Sequence, residues 1–277
     1  MKNILLLTDF SDNSVNALRY ALKLFSGTTC NFIVLHVEVA NTFLTDDLMA
    51  SGNKSIYDSL VKKPKSRLKK IVTDLKALSN HEDYKFEMLI DHDVFIDSIN
   101  QVVASRAIDL IVMGTNGVTG AKEVIFGSNT INVIRKVACS TLAIPEDFEY
   151  ASPKEILLPL DLNNSLSSDA FLNLLTFAKK HSKKLHILRI KPNNEVSTEE
   201  LKDQKHIETY LSSFSYEYHV VNDASMDHVV NSYTQTHSIN LIALMVQKES
   251  LFERFFTGSS TTAISKKLRA PLLVFHV

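Results

Sequence analysis

The chain has few residues that interrupt regular structure or form covalent links. Its 277 residues include 7 glycines, 6 prolines, 2 cysteines and no tryptophan. Two cysteines that lie far apart, without a CxxC pattern, provide no disulfide framework. We therefore expect Cys30 and Cys139, which fall on or beside apolar strand patterns, to be reduced thiols in a core.

The chain also lacks an excess of charge and a long apolar segment. Thirty basic residues face 31 acidic ones, a formal net charge of −1, so there is no electrostatic case for binding nucleic acid or a membrane surface. The first apolar run ends at Asp9, too early for a signal peptide, and no run approaches the ~18 apolar residues of a membrane span. We expect a globular cytoplasmic protein that contacts neither nucleic acid nor membrane.

Short apolar runs alternate with segments of helical periodicity. This alternation predicts an α/β fold with right-handed crossovers and a doubly wound parallel sheet. In the first half the predicted strands are residues 3–7, 31–37, 86–90, 108–113 and 141–144, and the predicted helices are residues 12–25, 64–79, 94–106 and 128–137.

The pattern then begins again. KEILLPLD at residues 154–161 repeats KNILLLTD at residues 2–9, and Gly258-Ser259 repeats Gly127-Ser128. Two tandem copies of one domain are predicted, at residues 1–147 and 153–277, each with a five-stranded Rossmann-like sheet.

Glycine is concentrated in one loop. Four of the seven glycines lie between positions 114 and 127, after an apolar strand and before a predicted helix. Glycines let backbone N–H groups approach an anion, and a helix start offers unpaired donors and the positive end of its dipole. Asp9 falls at the carboxyl end of the first strand, where α/β sheets bind ligands. A simple turn and a helix-capping aspartate are the alternatives.

The spacing Gly114-x2-Gly117-x9-Gly127-Ser128 resembles the nucleotide-binding signature of the ATP-binding branch of the universal stress protein family. It is neither a Walker loop nor a dinucleotide fingerprint. The resemblance covers nearly the whole chain and implies an adenine nucleotide alpha hydrolase-like fold that binds ATP, AMP or ADP, with Mg²⁺ offsetting the phosphate charge. The strand order of that family implies that the last strands of the two halves, Thr141–Ile144 and Leu272–His276, lie at exposed sheet edges; we expect these edges to pair with each other, giving a pseudo-dimer within one chain. Carried over by position, it implies these binding residues: Asp9 and Val37 for adenosine; Met113, Gly114, Gly117, Gly127 and Ser128 for the loop and phosphates; Asn129 and Thr130 as further donors.

The second half departs from that signature. Counting back from Gly258 places Met245 opposite Gly114 and Lys248 opposite Gly117, so the loop has lost its glycines. Side chains there would keep a polyphosphate away from the backbone, and we expect one nucleotide site per chain. Asp91-His92-Asp93 also stands where many relatives have a glycine; a charged turn is favoured over a metal site, and no metal site is predicted.

Three functions are consistent with these patterns. The first is a regulatory nucleotide-binding module of the stress response that is non-catalytic or hydrolyses ATP slowly. The second is a stress protein that binds partner proteins and no nucleotide. The third, an ATP-dependent transferase or ligase, is disfavoured because SGGxDS and HxGH motifs and a nucleophile–base pair are absent, so no catalytic residue is assigned. A homodimer is compatible with the first two.

Overall fold

The computed structural model describes residues 1–38, 62–115, 127–191, 193–194, 196–246 and 270–276. Within these residues ten strands form one sheet with the order β3-β2-β1-β4-β5-β10-β9-β6-β7-β8. The strands are β1 Lys2–Leu7, β2 Cys30–Val37, β3 Tyr84–Asp91, β4 Leu110–Gly114, β5 Thr141–Ile144, β6 Glu155–Leu160, β7 Lys184–Ile190, β8 Ser215–Val221, β9 Leu241–Val246 and β10 Leu272–His276.

Helices lie on both faces of this sheet. They are α1 Asp12–Leu24, α2 Lys63–Leu78, α3 Phe95–Arg106, α4 Ser128–Lys136, α5 Asp169–His181, α6 Thr198–Tyr210 and α7 Met226–Thr236. The predicted elements that fall in described residues are present, with ends shifted by a few residues. Helix α7 was not among the predictions, although it occupies in the second half the place of α3 in the first.

Helix α1 illustrates how the sequence sets these elements. The Ser11 side chain accepts a hydrogen bond from the Ser14 N–H and so caps the helix start. Asp12 in the first turn and Lys23 in the last complement the helix dipole. One face of the helix is buried on the sheet through Ala17, Leu18, Ala21 and Leu22.

Each half of the sheet reverses its strand order at its first strand. In the first half β1 pairs in parallel with β2 on one side and β4 on the other. The chain therefore leaves β1 and β4 towards opposite sides at their carboxyl ends, and this opens a crevice of the kind in which α/β proteins bind ligands. The second half repeats the arrangement with β6 between β7 and β9.

The two halves meet edge to edge. Strand β5 pairs antiparallel with β10, with Leu142 opposite Leu273, so the predicted pairing of the two terminal strands is confirmed. The two five-stranded parallel sheets thereby become one continuous sheet with a pseudo-dimeric layout. Contacts outside the sheet add to the junction, since His276 Nε2 lies 2.8 Å from the Ile134 carbonyl oxygen and Lys180 Nζ donates to Thr28 Oγ1 at 2.7 Å. The exact domain limits, residues 147 and 153, remain predictions.

Both cysteines are free thiols in the core. Cys30 is fully buried and Cys139 is 7% exposed. Burial raises the pKa of each thiol to about 11, which keeps them protonated and weakly nucleophilic near neutral pH. In the part of the chain that the structure describes, no helix is both long and apolar enough to cross a bilayer.

Candidate functional site

A cavity of about 390 Å³ opens at the carboxyl ends of β1 and β4. Eight of the nine residues singled out from the sequence line it: Asp9, Val37, Met113, Gly114, Gly127, Ser128, Asn129 and Thr130. The ninth, Gly117, lies outside the described residues. Residues far apart in sequence are thus brought together, because parallel strands end at the same edge of the sheet.

One wall of the cavity is apolar. It is built from side chains on the α3 and α4 face of the sheet, where alternate residues of neighbouring strands point the same way. Leu7 and Val37 end their strands there, Met113 is the last residue but one of β4, and Phe95 is the first residue of α3. This wall suits a flat apolar group such as a nucleobase.

Asp9 lies in a tight turn between β1 and α1. Its Oδ1 accepts hydrogen bonds from the Ser11 N–H at 3.0 Å and the Ser11 hydroxyl at 2.5 Å. The helix cap is therefore Ser11, and Asp9 holds that cap in place. Phe10 takes a left-handed conformation (φ 66°), which is uncommon for a residue with a side chain. The Asp9 side chain is exposed, and within the described residues its Oδ2 has no hydrogen-bond partner.

The opposite end of the cavity is the start of α4. Gly127 is the N-cap residue and its own N–H donates to the Thr115 carbonyl at 2.7 Å. The N–H groups of the first turn that follow have no partner within the helix, and they carry the positive end of its dipole. Ser128 and Asn129 are exposed beside them. This end of the cavity therefore favours an anion.

Thr130 has a different orientation from its neighbours. It is buried, and its hydroxyl donates to the carbonyl oxygens of Gly114 and Thr115 at 3.2 and 3.1 Å. That hydroxyl proton ties α4 to the end of β4. A role for Thr130 as a side-chain donor to a ligand stays a prediction, and it would require the hydroxyl to rotate.

Thr115 is the residue next to Gly114, and it was not singled out from the sequence. Its side chain is 1% exposed, lines the cavity, and its Oγ1 has no hydrogen-bond partner within the described residues. A buried hydroxyl without a partner costs about 1–3 kcal/mol. Thr115 is therefore a polar group available to a bound molecule.

Gly114 has a packing reason to lack a side chain. A Cβ at this position would lie 2.7 Å from Asn13 Nδ2 and 2.9 Å from Asn13 Cγ, distances that real Cβ atoms do not tolerate. The first turn of α1 therefore sits directly against the end of β4. Close approach of a phosphate to the Gly114 backbone remains a prediction.

Charge is sparse in the cavity. Among its described lining residues, Asp9 is the only charged side chain. An anionic ligand there would depend on backbone N–H groups, hydroxyls and the helix dipole. The neighbouring Asp91 and Asp93 form a turn, in which their carboxylates accept from the N–H groups of His92 and Val94, both at 2.7 Å.

The corresponding edge of the second half is organised differently. Asp161, the counterpart of Asp9, is 3% exposed, and its Oδ1 accepts from the N–H groups of Asn163 and Asn164 at 2.8 and 3.0 Å. Met245 occupies the position of Gly114, and the helix that follows Asp161 does not begin until Asp169. Gly258, Ser259 and Lys248 lie outside the described residues.

A buried ion pair supports this second edge. Arg189 and Asp203 form a bidentate contact, with Nε–Oδ2 2.9 Å and Nη2–Oδ1 2.7 Å, and both side chains are at most 1% exposed. The guanidinium also donates to the carbonyl oxygens of Asp161 and Asn164. By strand register Arg189 replaces His36 of the first half, whose ring nitrogen contacts the Thr8 carbonyl oxygen. Hydrogen bonds from Arg189 thus hold the loop after β6 in place, and the sequence analysis did not identify this residue.

Five lining residues were not predicted: Leu7, Thr8, Ser14, Phe95 and Thr115. Thr8 and Thr115 are immediate neighbours of predicted residues, so the ends of β1 and β4 were a usable signal. Ser14 and Phe95 depend on how α1 and α3 pack on the sheet. Their position could not be read from local sequence.

The strand order reverses at β1, and a cavity and the start of a helix lie at the carboxyl edge of the sheet there. This arrangement is typical of Rossmann-like α/β proteins. Comparison with known proteins makes this more specific. A model of the Universal stress protein family matches residues 1–145. Universal stress protein MJ0577 of Methanocaldococcus jannaschii is 27% identical over 148 residues, which are 49% of this chain and 89% of the relative. Universal stress protein MJ0531 of the same organism is 27% identical over 144 residues, or 52% and 81% of the two chains.

Solved structures agree on the fold over the full length. A universal stress protein from Archaeoglobus fulgidus matches with a TM-score of 0.74 and 17% identity, covering 99% of this chain and 96% of that one. The chain belongs to the universal stress protein family.

Proposed function

We propose that the N-terminal half binds an adenine nucleotide (ATP, AMP or ADP) in the cavity at β1 and β4, as a regulatory module of the stress response. One observation carries the proposal: eight residues from four separate segments line a single cavity that is apolar at one end and rich in N–H and hydroxyl donors at the other. A nucleotide has the same division between base and phosphates.

The base and sugar would occupy the end lined by Val37, Phe95 and Met113. The Asp9 Oδ2, which the turn leaves without an internal partner, would accept a hydrogen bond from the exocyclic amino group or a ribose hydroxyl. A hydrogen bond to a charged acceptor contributes about 1.5–3 kcal/mol, so Asp9 would supply a substantial part of the binding free energy.

The phosphates would occupy the end formed by α4. Backbone N–H groups of its first turn, the Ser128 hydroxyl, the Asn129 amide and the Thr115 hydroxyl form a neutral donor set. Because the described lining contains no cation, Mg²⁺ fits this site as the group that offsets polyphosphate charge. Its ligands would be phosphate oxygens, water and neutral side-chain oxygens.

We further propose one nucleotide site per chain. Asp161 is buried and its turn is held by Arg189, whereas Asp9 is exposed. Met245 replaces Gly114 at the end of the equivalent strand. The second half then acts as the structural partner that completes the sheet. With Asp9 as the only titratable side chain among the described lining residues, hydrolysis of bound ATP would be slow.

Calorimetric titration of ATP with Mg²⁺ into protein stripped of carried-over ligand tests this proposal. We expect saturation near one site per chain, and Asp9→Ala should weaken binding by about 1.5–3 kcal/mol, roughly 10- to 150-fold. Asp12→Ala is the matched control, because Asp12 is an exposed carboxylate of the same turn that does not line the cavity. Equal binding by the Asp9 and Asp12 variants would refute the assigned role of Asp9.

A second candidate is a stress protein that acts through protein–protein contacts without a nucleotide. It is favoured by the presence of a carboxylate and the absence of any cation among the described lining residues. Failure to detect binding at millimolar ATP would support it.

A further inference from the structure

A second, larger cavity of about 800 Å³ lies away from the nucleotide cavity. It is enclosed by the outer face of α1, the connection between α2 and β3, and the segment that links the two halves. Along α1 its lining residues recur at helical spacing, Asn16, Arg19, Tyr20 and Lys23, so one continuous helix face forms the floor. The proposed nucleotide function makes no use of this space.

The walls of the cavity are aromatic. Tyr20 comes from α1, Tyr84 from β3 and Tyr150 from the linking segment. The Tyr20 and Tyr150 rings meet edge to face with centroids 5.0 Å apart, and Asn16 Nδ2 donates to the Phe148 carbonyl oxygen at 3.0 Å, which anchors the linking segment on α1. Such walls favour a flat ring over an aliphatic ligand.

One of these tyrosines has an unexplained hydroxyl. Tyr20 is 2% exposed, and its hydroxyl has no hydrogen-bond partner within the described residues. By contrast, the Tyr84 hydroxyl donates to the Leu22 carbonyl at 2.9 Å. Phenylalanine would pack equally well at position 20 without leaving a polar atom unpaired. We therefore look for its partner in a bound molecule, since none of the described residues provides one.

The charged residues around the cavity indicate which charge a ligand would carry. Arg19 and Lys23 are exposed one turn apart on α1 and form no ion pair within the described residues. The Lys23 ammonium lies 5.8 Å from the centre of the Tyr150 ring. Glu82 is already engaged, since its carboxylate accepts from the Ser26 hydroxyl at 2.5 Å and the Gly27 N–H at 2.8 Å.

The remaining acid of the lining, Glu149, is exposed on the linking segment. A negative group would therefore be held on the α1 side, next to Arg19 and Lys23. We propose that this cavity is a second ligand site, which binds a small planar aromatic anion such as an aryl carboxylate. The ring lies among the three tyrosines, the anionic group faces Arg19 and Lys23, and a polar substituent reaches the Tyr20 hydroxyl when the half-buried Tyr150 ring turns aside.

Fluorescence titration with anilinonaphthalene sulfonate, an aromatic anion with a flat naphthalene ring, tests the site. Measurements with and without saturating ATP and Mg²⁺ separate it from the nucleotide cavity. We expect a saturable component that ATP does not remove and that benzoate displaces. Tyr20→Phe should weaken this component about three- to tenfold, and the Arg19→Gln/Lys23→Gln double variant by a similar factor.

Two controls distinguish ligand contacts from general effects. Tyr216→Phe removes a hydroxyl from an exposed tyrosine and Lys179→Gln removes an exposed charge, and neither residue lines the cavity; both should bind like the wild type. Tyr20→Phe should also leave the melting temperature unchanged or raise it, because an unpartnered buried hydroxyl is lost.

Three outcomes would overturn the proposal. The first is the absence of a saturable component. The second is a dye affinity that is unchanged in both Tyr20→Phe and Arg19→Gln/Lys23→Gln. The third is a Tyr20→Phe variant that melts at a lower temperature while binding the dye as tightly as the wild type. The variant comparisons do not depend on whether ATP binds, so the proposed nucleotide function can fail without affecting this test.

Discussion

Replacing Gly114 with alanine would place a methyl group against the first turn of α1. The new Cβ would lie 2.7 Å from Asn13 Nδ2, 2.9 Å from its Cγ and 3.2 Å from its carbonyl oxygen. Asn13 is 6% exposed, so its side chain has little room to swing away. The helix start must then move away from β4, or Asn13 must leave its rotamer.

The magnitude follows from two opposing effects. Overpacking of a close-packed interior costs about 1–3 kcal/mol. Alanine restricts the unfolded chain more than glycine does, and this reduces the loss of stability by about 0.4–1 kcal/mol. We therefore expect a net destabilisation of about 1–2 kcal/mol for Gly114→Ala, visible as a lower urea midpoint in circular dichroism. Removing the Asn13 side chain as well, in the Asn13→Ala/Gly114→Ala variant, should recover part of the loss.

Gly27→Ala is the matched control. Gly27 has φ 75° and no atom within 4 Å of an added Cβ, so its replacement is unfavourable by about 1–2 kcal/mol through backbone strain alone. The two variants should lose similar stability. We expect only Gly114→Ala to weaken ATP binding as well, because it displaces the turn that carries Asp9 and Ser14. A Gly114→Ala variant as stable as the wild type would show that the contact with Asn13 does not constrain the helix.

Further predictions concern the rest of the chain. Arg189→Met should destabilise the protein by about 3–5 kcal/mol, because it leaves the buried Asp203 carboxylate without its countercharge, and Arg189→Met/Asp203→Leu should recover most of that loss in urea unfolding. Burial lowers the pKa of His181 to about 4 from 6.5; the unfolded chain then binds the extra proton, so urea midpoints should fall as the pH drops from 6.5 towards 4, and less so in His181→Gln. Cys30 and Cys139 should resist alkylation at pH 8 in the native protein and react fully in denaturant, because their pKa values are raised to about 11; rapid native labelling would contradict their burial.

Much of the fold follows from local patterns in the sequence. Residues 4–7 of β1 and all of β9 are apolar, a pattern typical of strands that are covered on both faces. Helical periodicity between them, and its recurrence after residue 153, was sufficient to predict two copies of a doubly wound sheet. The pairing of β5 with β10 could be predicted because each copy ends in an apolar edge.

Only part of the candidate site could be predicted from local sequence patterns. Asp9, the glycines and the hydroxyls of Ser128 and Thr130 could be located from a strand end, glycine spacing and a helix start, which are local features. Val37, Met113 and Asn129 were implied by the resemblance to universal stress proteins. The separate role of Thr130 was not visible, because the direction of a hydroxyl depends on which carbonyl groups lie next to it.

Other features came from tertiary structure alone. Gly114 is required by a contact with Asn13, about a hundred positions away in the chain, and Thr115 is available to a ligand because no described residue pairs with its buried hydroxyl. The buried Arg189–Asp203 pair and the burial of the Tyr20 hydroxyl likewise depend on which helix lies over which strand. The sequence by itself determined the strands, the helices and the repeat, because those depend on spacing along the chain; the contents of both cavities depend on long-range packing, which no local pattern encodes.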